Sequence, residues 1–225
     1  MDMDEGALLP HEGVGVGVPL EDGELPLPRI APDGPRTPPA HRVHIREACE
    51  ADAPAITAIH NDAVEHSTAV WDETPVDVAD RLAWMAAHRE LGNPVLVAVG
   101  SADAPEAADP EGTEGTVLGY AAFGPWRAWE GYRHTVEHSV YVRSDRRGNG
   151  LGRALLLALI AAARVRGVHV MVAGIESGNA SSIHLHETLG FRHVGHLAEV
   201  GAKFGRWLDL DFLQLVLDTR ATPER

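Results

Sequence analysis

Cysteine is almost missing from this chain of 225 residues, aromatic residues make up only 5%, and basic residues are outnumbered. A single thiol, Cys49, excludes an internal disulfide, suits the reducing cytoplasm, and by itself reads as an inert packed side chain rather than a nucleophile. With 19 Lys and Arg against 33 Asp and Glu, the formal net charge is -14, which disfavours a nucleic-acid-binding surface. The longest purely apolar run, Ala154 to Ala163, is far shorter than the roughly 20 residues that span a bilayer, so no membrane partner is expected. Metal-ligand spacing is missing too: His184 and His186, two apart on a helix, point to different faces, and no His-Glu-x-x-His pattern occurs, so no metal is expected.

The first forty residues lack any helix or strand period. Eight prolines from Pro10 to Pro39 and the Gly13-Val-Gly-Val-Gly17 stretch break it repeatedly, and neither a basic start nor an apolar run marks a signal peptide. Residues 1–41 therefore read as a disordered extension, 42–218 as one domain, and 219–225 as a tail. Within the domain, strands are expected at 44–48, 95–99, 116–123, 135–142, 168–175, 194–201 and 207–216. Helices are expected after Asp52, over 76–91, after the 148–152 turn and after Asn179, with a long acidic loop at 101–115. A strand–helix–strand crossover inside an otherwise antiparallel order implies an α/β (α+β) domain. Its mixed, mostly antiparallel sheet has six or seven strands, with helices on both faces.

What the chain does have is a strand, Val140-Tyr141-Val142, followed by a turn studded with Gly148, Gly150 and Gly152 and then a long apolar helix. Such a turn presents backbone N–H groups, and the helix start adds partial positive charge, so the segment from Arg147 through Asn149 and Leu151 to Arg153 is a seat for an anion, most often a phosphate. No lysine follows the glycines, which excludes a Walker loop, and the third position of a Gly-x-Gly-x-x-Gly fingerprint falls on Leu155 or Arg153. What fits is Arg147-x-x-Gly150-x-Gly152.

That loop resembles the pyrophosphate loop of the GNAT superfamily of N-acetyltransferases, and a second pattern follows at the superfamily's spacing: Asn179, Ser182, Gly190 and Phe191, with His186 where tyrosine is common. Five further segments, Ser67–Pro75, Gly119–Trp126, Thr135–Val142, Leu185–Gly190 and Gly201–Asp209, are similar to the phosphinothricin/methionine sulfoximine acetyltransferase family over about Val43 to Val216. The resemblance implies a GNAT fold with a splayed parallel central strand pair, acetyl-CoA as cosubstrate with its pantetheine arm in the gap, a small amine as acceptor, and a homodimer.

It also implies roles. Glu137, in the Thr-Val-Glu segment, corresponds to the general base, and alternation on its strand places it with Thr135, Ser139 and Tyr141 on one face. His186 is the second catalytic candidate; relaying the amine proton, orienting Glu137 and protonating the coenzyme sulfur all remain open roles. Val140, Tyr141 and Val142 would pair with pantetheine amides, Gly148 to Arg153 would hold the pyrophosphate, and Asn179 would bond the pantetheine end. Trp71, Trp126, Trp129 and Tyr132 coincide with acceptor-side segments, while Trp207 reads as core. Trp129 stands where many members carry a carboxylate-binding arginine, with Arg127 and Arg133 close by. The expected function is acetyl transfer to a small primary amine, such as an amino acid or an analogue. The alternatives are a silent acyl-CoA-binding module and a protein N-acetyltransferase.

Overall fold

The computed structural model describes residues 43–100 and 115–223; the extension expected over 1–41, most of the acidic loop, and the last two residues lie outside them. In chain order the elements are β1 (Val43–Glu47), α1 (Ala53–His66), α2 (Val78–Glu90), β2 (Val95–Gly100), β3 (Thr116–Pro125), β4 (Thr135–Val142), α3 (Leu151–Val165), β5 (Val170–Glu176), α4 (Ala180–Thr188), β6 (Arg192–Lys203) and β7 (Arg206–Val216). The strands form one seven-stranded sheet in the order β1-β2-β3-β4-β5-β7-β6, antiparallel at every step except β4–β5.

Alternation sorts the side chains onto two layers. Leu96 and Ala98 of β2 and Leu118, Ala121 and Phe123 of β3 face α3, whereas Val95, Val97 and Val99 with Tyr120 and Ala122 face α1 and α2. Among the helices, α3 buries the most apolar residues. Its buried residues Leu151, Leu155, Leu156, Leu159, Ile160 and Ala163 recur at three-to-four-residue steps, giving one stripe, each large side chain worth about 1.5–3 kcal/mol of transfer free energy. The helix ends at Gly167, whose φ of 72° lets the Val168 N–H reach back to Ala163 O at 3.0 Å.

Some boundaries move for identifiable reasons. Helix α2 starts at Val78, not Val76, because Asn61 captures the Val76 backbone from both sides, its amide donating to Val76 O at 2.8 Å and its oxygen accepting from Val76 N at 3.0 Å. Asp77 then caps the helix through Asp80 N at 2.8 Å. Asp52 precedes α1 as expected but does not cap it. Its buried carboxylate turns back to accept the Arg46 guanidinium at 2.7 and 2.9 Å and the Cys49 N–H at 2.8 Å. Burial pushes the Asp52 pKa up, but the Arg46 and Cys49 bonds outweigh it and the net shift is downward. Cys49 itself is exposed, so the packed thiol expected from sequence is corrected. The C-terminal end is tied down further than expected: Arg220 donates to Gly167 O at 2.8 Å and pairs with Asp218 at 2.9 Å.

The feature that positions the site is the length of one ladder. Strand β4 pairs with β3 along its whole usable length, from Val136 opposite Pro125 to Val142 opposite Gly119. With β5 it pairs only at Thr135–Val170, Val136–Met171 and Glu137–Val172. Beyond Glu137 the two parallel strands part, leaving a wedge between residues 138–142 and the second half of β5.

Candidate active site

Glu137 occupies the last rung before the wedge. Its half-buried carboxyl leans over β5 at Gly174, where a Cβ would sit 3.1 Å from Oε1 and 3.7 Å from both Leu210 and Phe212, so the bare glycine leaves the carboxyl its room. Burial pushes the Glu137 carboxyl above its ordinary range, and Arg127 pulls it partly back. The Arg127 guanidinium lies 3.7 Å over the Trp126 ring, which meets Phe212 edge-on at 5.4 Å. Trp126, Arg127, Phe212 and Glu137 thus form one neighbourhood.

The Glu137 face continues through Tyr141. That ring packs against Tyr120 at 5.2 Å and His60 at 6.2 Å, and burial pushes its hydroxyl up to about 12. His60 Nδ1 lies 3.3 Å from the Tyr120 hydroxyl, and burial, with Arg81 nearby, lowers the His60 pKa.

On the opposite face lies His138, and with it His186. Their rings stack at 5.1 Å and 13°, each edge-on to Phe191, and both are more than nine-tenths buried. His186 Nδ1 sits 2.7 Å from Ser182 O; a carbonyl only accepts, so Nδ1 carries the proton and Nε2 is left as a buried acceptor without a protein partner. Both His138 nitrogens, like that Nε2, have no partner among the described residues. Burial lowers both pKa values, that of His138 to about 3. The stack holds His186 on the His138 side of the sheet, away from Glu137, because neighbouring residues on a strand point to opposite sides; of the three roles left open for His186, this arrangement least favours orienting that carboxylate.

The glycine turn has the expected geometry. Gly148 and Gly150 both have φ of 78°, which favours glycine, and a Cβ at either would meet nothing within 4 Å, so the turn faces open space. The first α-helical bond of α3 runs from Ala154 N to Gly150 O, leaving the N–H groups of Leu151, Gly152 and Arg153 without intrahelical acceptors. Leu151's side chain is core, so only its backbone serves the seat. A Cβ at Gly152 would lie 3.4 Å from Leu185, where α3 and α4 approach each other. Arg147 and Arg153 are exposed; Arg147 donates to Val142 O at 3.2 Å and lies 3.8 Å from Asp62, while Asn149 donates to Arg146 O at 3.2 Å. This open cradle of N–H groups and guanidiniums fits a pyrophosphate. Val140 and Val142 pack on the α3 side and Tyr141 on the other, so the strand beside the wedge offers backbone rather than side chain. Asn179 caps α4, its side-chain oxygen accepting from Ser182 N at 3.1 Å, which leaves the amide nitrogen as the group for a ligand.

The aromatic set is scattered. Trp126 joins Glu137's neighbourhood. Trp71 is half-buried against β6, its indole N–H donating to Thr68 O at 2.9 Å. Trp129 is 74% exposed and pairs with exposed Tyr132 at 6.2 Å. Trp207, expected in the core, is 67% exposed. Alternation in the sequence already places His138 on the face opposite Glu137, but nothing in the sequence gives it a role at the site. Among the described residues no group of three or more His, Cys, Asp or Glu side chains is placed to hold a metal ion, and no helix is long and apolar enough to cross a membrane.

A match to the acetyltransferase (GNAT) family spans residues 56–191. The L-methionine sulfoximine/L-methionine sulfone acetyltransferase of Pseudomonas paraeruginosa is 58% identical over 180 residues, 80% of this chain and 98% of that protein. The L-amino acid N-acyltransferase of Escherichia coli is 51% identical over 180 residues, 80% of this chain and 97% of its own length. A Salmonella typhimurium acetyltransferase solved with its cofactor acetyl-CoA is 52% identical and superposes with a TM-score of 0.73, covering 81% of this chain and 98% of that one.

The buried imidazoles carry a pH signature. His138 takes up a proton near 6.5 when unfolded and only near 3 when folded, so its burial costs stability progressively as pH falls through that window, on the order of 3 kcal/mol by pH 4. Replacing it with phenylalanine keeps a ring against His186 and removes the titration. Denaturant unfolding of His138→Phe is expected to match the unsubstituted protein near pH 8 and to exceed it increasingly below pH 6; a gap independent of pH would contradict the assignment.

Proposed function

This chain belongs to the acetyltransferase (GNAT) family, and we propose that its acceptor is the α-amine of a small amino acid or analogue, such as L-methionine sulfoximine, with Glu137 as general base. It is an acetyl-CoA-dependent N-acetyltransferase of small amines. The observation that carries the residue assignments is the fork: Glu137 stands at its apex on one face of the sheet, while the anion seat of α3 lies at the mouth of the wedge on the other. A thioester reaching into the wedge from α3 therefore presents its carbonyl carbon to an amine arriving on the Glu137 side.

Acetyl-CoA supplies the activated acyl group. The amine nitrogen attacks the thioester carbon, the C–N bond forms, the C–S bond breaks, and coenzyme A departs as a thiolate that is protonated from solvent, to which Glu137 returns the proton it takes from the amine. Glu137 accepts the proton the amine must lose. Its raised pKa brings it closer to that of the ammonium than an ordinary carboxylate would be, which favours transfer. Backbone N–H groups of Val140 and Val142, which face the wedge where β5 no longer pairs, are the donors for the carbonyl oxygen. His186, on the cofactor side with Nε2 as acceptor, is suited to take a hydrogen bond from the protonated coenzyme thiol. Arg127, the cation acting on Glu137 and braced on Trp126, is the partner for an acceptor carboxylate in place of the arginine that Trp129 displaces.

Large apolar side chains of the outer hairpin stand in solvent: Val194, Leu197 and Val200 on the edge strand β6, Phe204 in the turn and Trp207 on β7. We place the contact of a homodimer there, since an unpaired edge of this length with apolar side chains needs a cover. The single exposed thiol, Cys49, suits the cytoplasm.

Three outcomes test this reading. Glu137→Gln is expected to lower kcat by about 10²-fold or more with acetyl-CoA affinity retained. The acid limb of its pH–rate profile, which in the unsubstituted enzyme lies above the usual carboxylate range because protonation silences the base, should lose Glu137's contribution; equal turnover in the variant removes Glu137 from the mechanism. Coenzyme A release across paired amines with and without a carboxylate should favour the carboxylates, and Arg127→Met should abolish that preference; a preference untouched by the substitution rules Arg127 out. Sedimentation should give twice the chain mass, reverting to one with Trp207→Asp and Leu197→Asp combined; a monomeric unsubstituted protein refutes the dimer.

A further inference from the structure

Lysine rarely disappears from solvent, since burying an ammonium without partners is costly. Lys203, the last residue of β6, is 1% exposed. Its ammonium forms no ion pair among the described residues. It donates instead to two main-chain carbonyls, Ser67 O at 2.9 Å and Val70 O at 2.5 Å, and lies 4.9 Å from the face of the Phe204 ring. Burial lowers its pKa, partly offset by Asp72 and Glu73. Ser67 is the C-cap of α1, so the ammonium also meets the negative end of that helix dipole.

Two residues earlier, Gly201 lies under the indole of Trp71. A Cβ at 201 would fall 2.1 Å from Cζ3 and 2.3 Å from Cε3 of that ring, so any side chain displaces it. The same short segment is held at a third point, where Thr68 Oγ1 donates to Glu176 Oε2 at 3.0 Å at the end of β5. Between these anchors Val70 is buried with Ala63 and Val64, and Tyr141, which shares the Glu137 face, packs against that cluster. Residues 67–71 are thus a strap, stitched to the outer hairpin and to β5, and resting on the side of the sheet where the amine arrives.

We infer that Gly201 and Lys203 are positioning residues for the acceptor amine: by clamping the strap they fix Trp71 and Tyr141 as one wall of the amine site and leave the cofactor seat untouched. This rests on the Glu137 face being the acceptor side. Neither residue touches the reacting atoms, so their effect should appear in amine recognition and not in acetyl-CoA binding. A wall displaced by about an ångström is enough to cost tenfold or more.

Lys203→Met keeps the aliphatic stem and removes the ammonium; Gly201→Ala presses on the indole. In the full chain, with L-methionine sulfoximine as probe, each variant is expected to raise the amine KM about tenfold or more while the acetyl-CoA KM stays within about twofold. Trp71→Phe should give the same split, and combined with Lys203→Met should cost less than the product of the two separate effects. Calorimetric titration of the probe into protein preloaded with coenzyme A reads the same loss without turnover. An unchanged amine KM, or an acetyl-CoA KM that rises in parallel, overturns the clamp. Should Lys203→Met fail to fold, Gly201→Ala decides by the same criterion. An unsubstituted protein that neither binds nor acetylates amines removes the functional reading and this one together; an active enzyme indifferent to both substitutions removes this one alone.

Discussion

The early end of the β4–β5 ladder is the constraint on which the rest of this molecule depends. Two parallel strands that pair for three residues and then part leave main-chain donors and acceptors in the middle of a sheet without a neighbour, which folded proteins avoid. The surroundings hold the wedge open. β4 stays fully paired to β3 on one side and β5 to β7 on the other, so neither strand is free to swing back. The Glu137 carboxyl lying over Gly174 adds bulk at the apex. An extended amide-bearing arm laid in this opening would complete the sheet, and recognition of the cofactor and completion of the fold would then be one event.

The wedge also separates the chemistry by face. Above the sheet lie the half-buried acid, its arginine and the tyrosines; below lie two neutral imidazoles, Phe191 and the glycine turn. Desolvation acts in opposite directions on the two sets. It drives the carboxyl toward its protonated form and the imidazoles toward their unprotonated form, so burial favours neutral groups on both sides of the wedge. An acid–base pair built from Glu137 and His186 would need the two on the same side, and the pleat of β4 prevents it.

Much of this was legible in the residues, and the divide between what was and was not is physical. The strand at 135–142, its alternation, the left-handed glycines and the stripe of α3 are local, set by periods of two and 3.6 and by backbone sterics, and the structure reproduces them. His186 was legible as a residue of interest but not as a partner of His138, because that stack joins a strand to a helix more than forty residues on. Trp207 was misjudged for a related reason: indoles are usually buried, but Trp207 is on the face of the outer hairpin opposite the Trp71 strap, where no layer covers it among the described residues. Cys49 was misjudged because Arg46 and Asp52 occupy the interior of its corner. Lys203 and Gly201 carried a recognisable spacing, yet nothing within the segment reveals that an ammonium is captured by carbonyls from a loop over 130 residues earlier.

The anchoring of the strap has an evolutionary side. Lys203 grips carbonyl oxygens, which every amino acid possesses, so most side chains between Ser67 and Val70 are not themselves part of the grip. Thr68 and Val70 add side-chain anchors of their own, through Glu176 and the Ala63–Val64 cluster, and none of the segment belongs to the phosphate seat. If the strap is the amine wall, such a division would let substitutions there alter the choice of amine while the machinery that delivers the acyl group stays as it is.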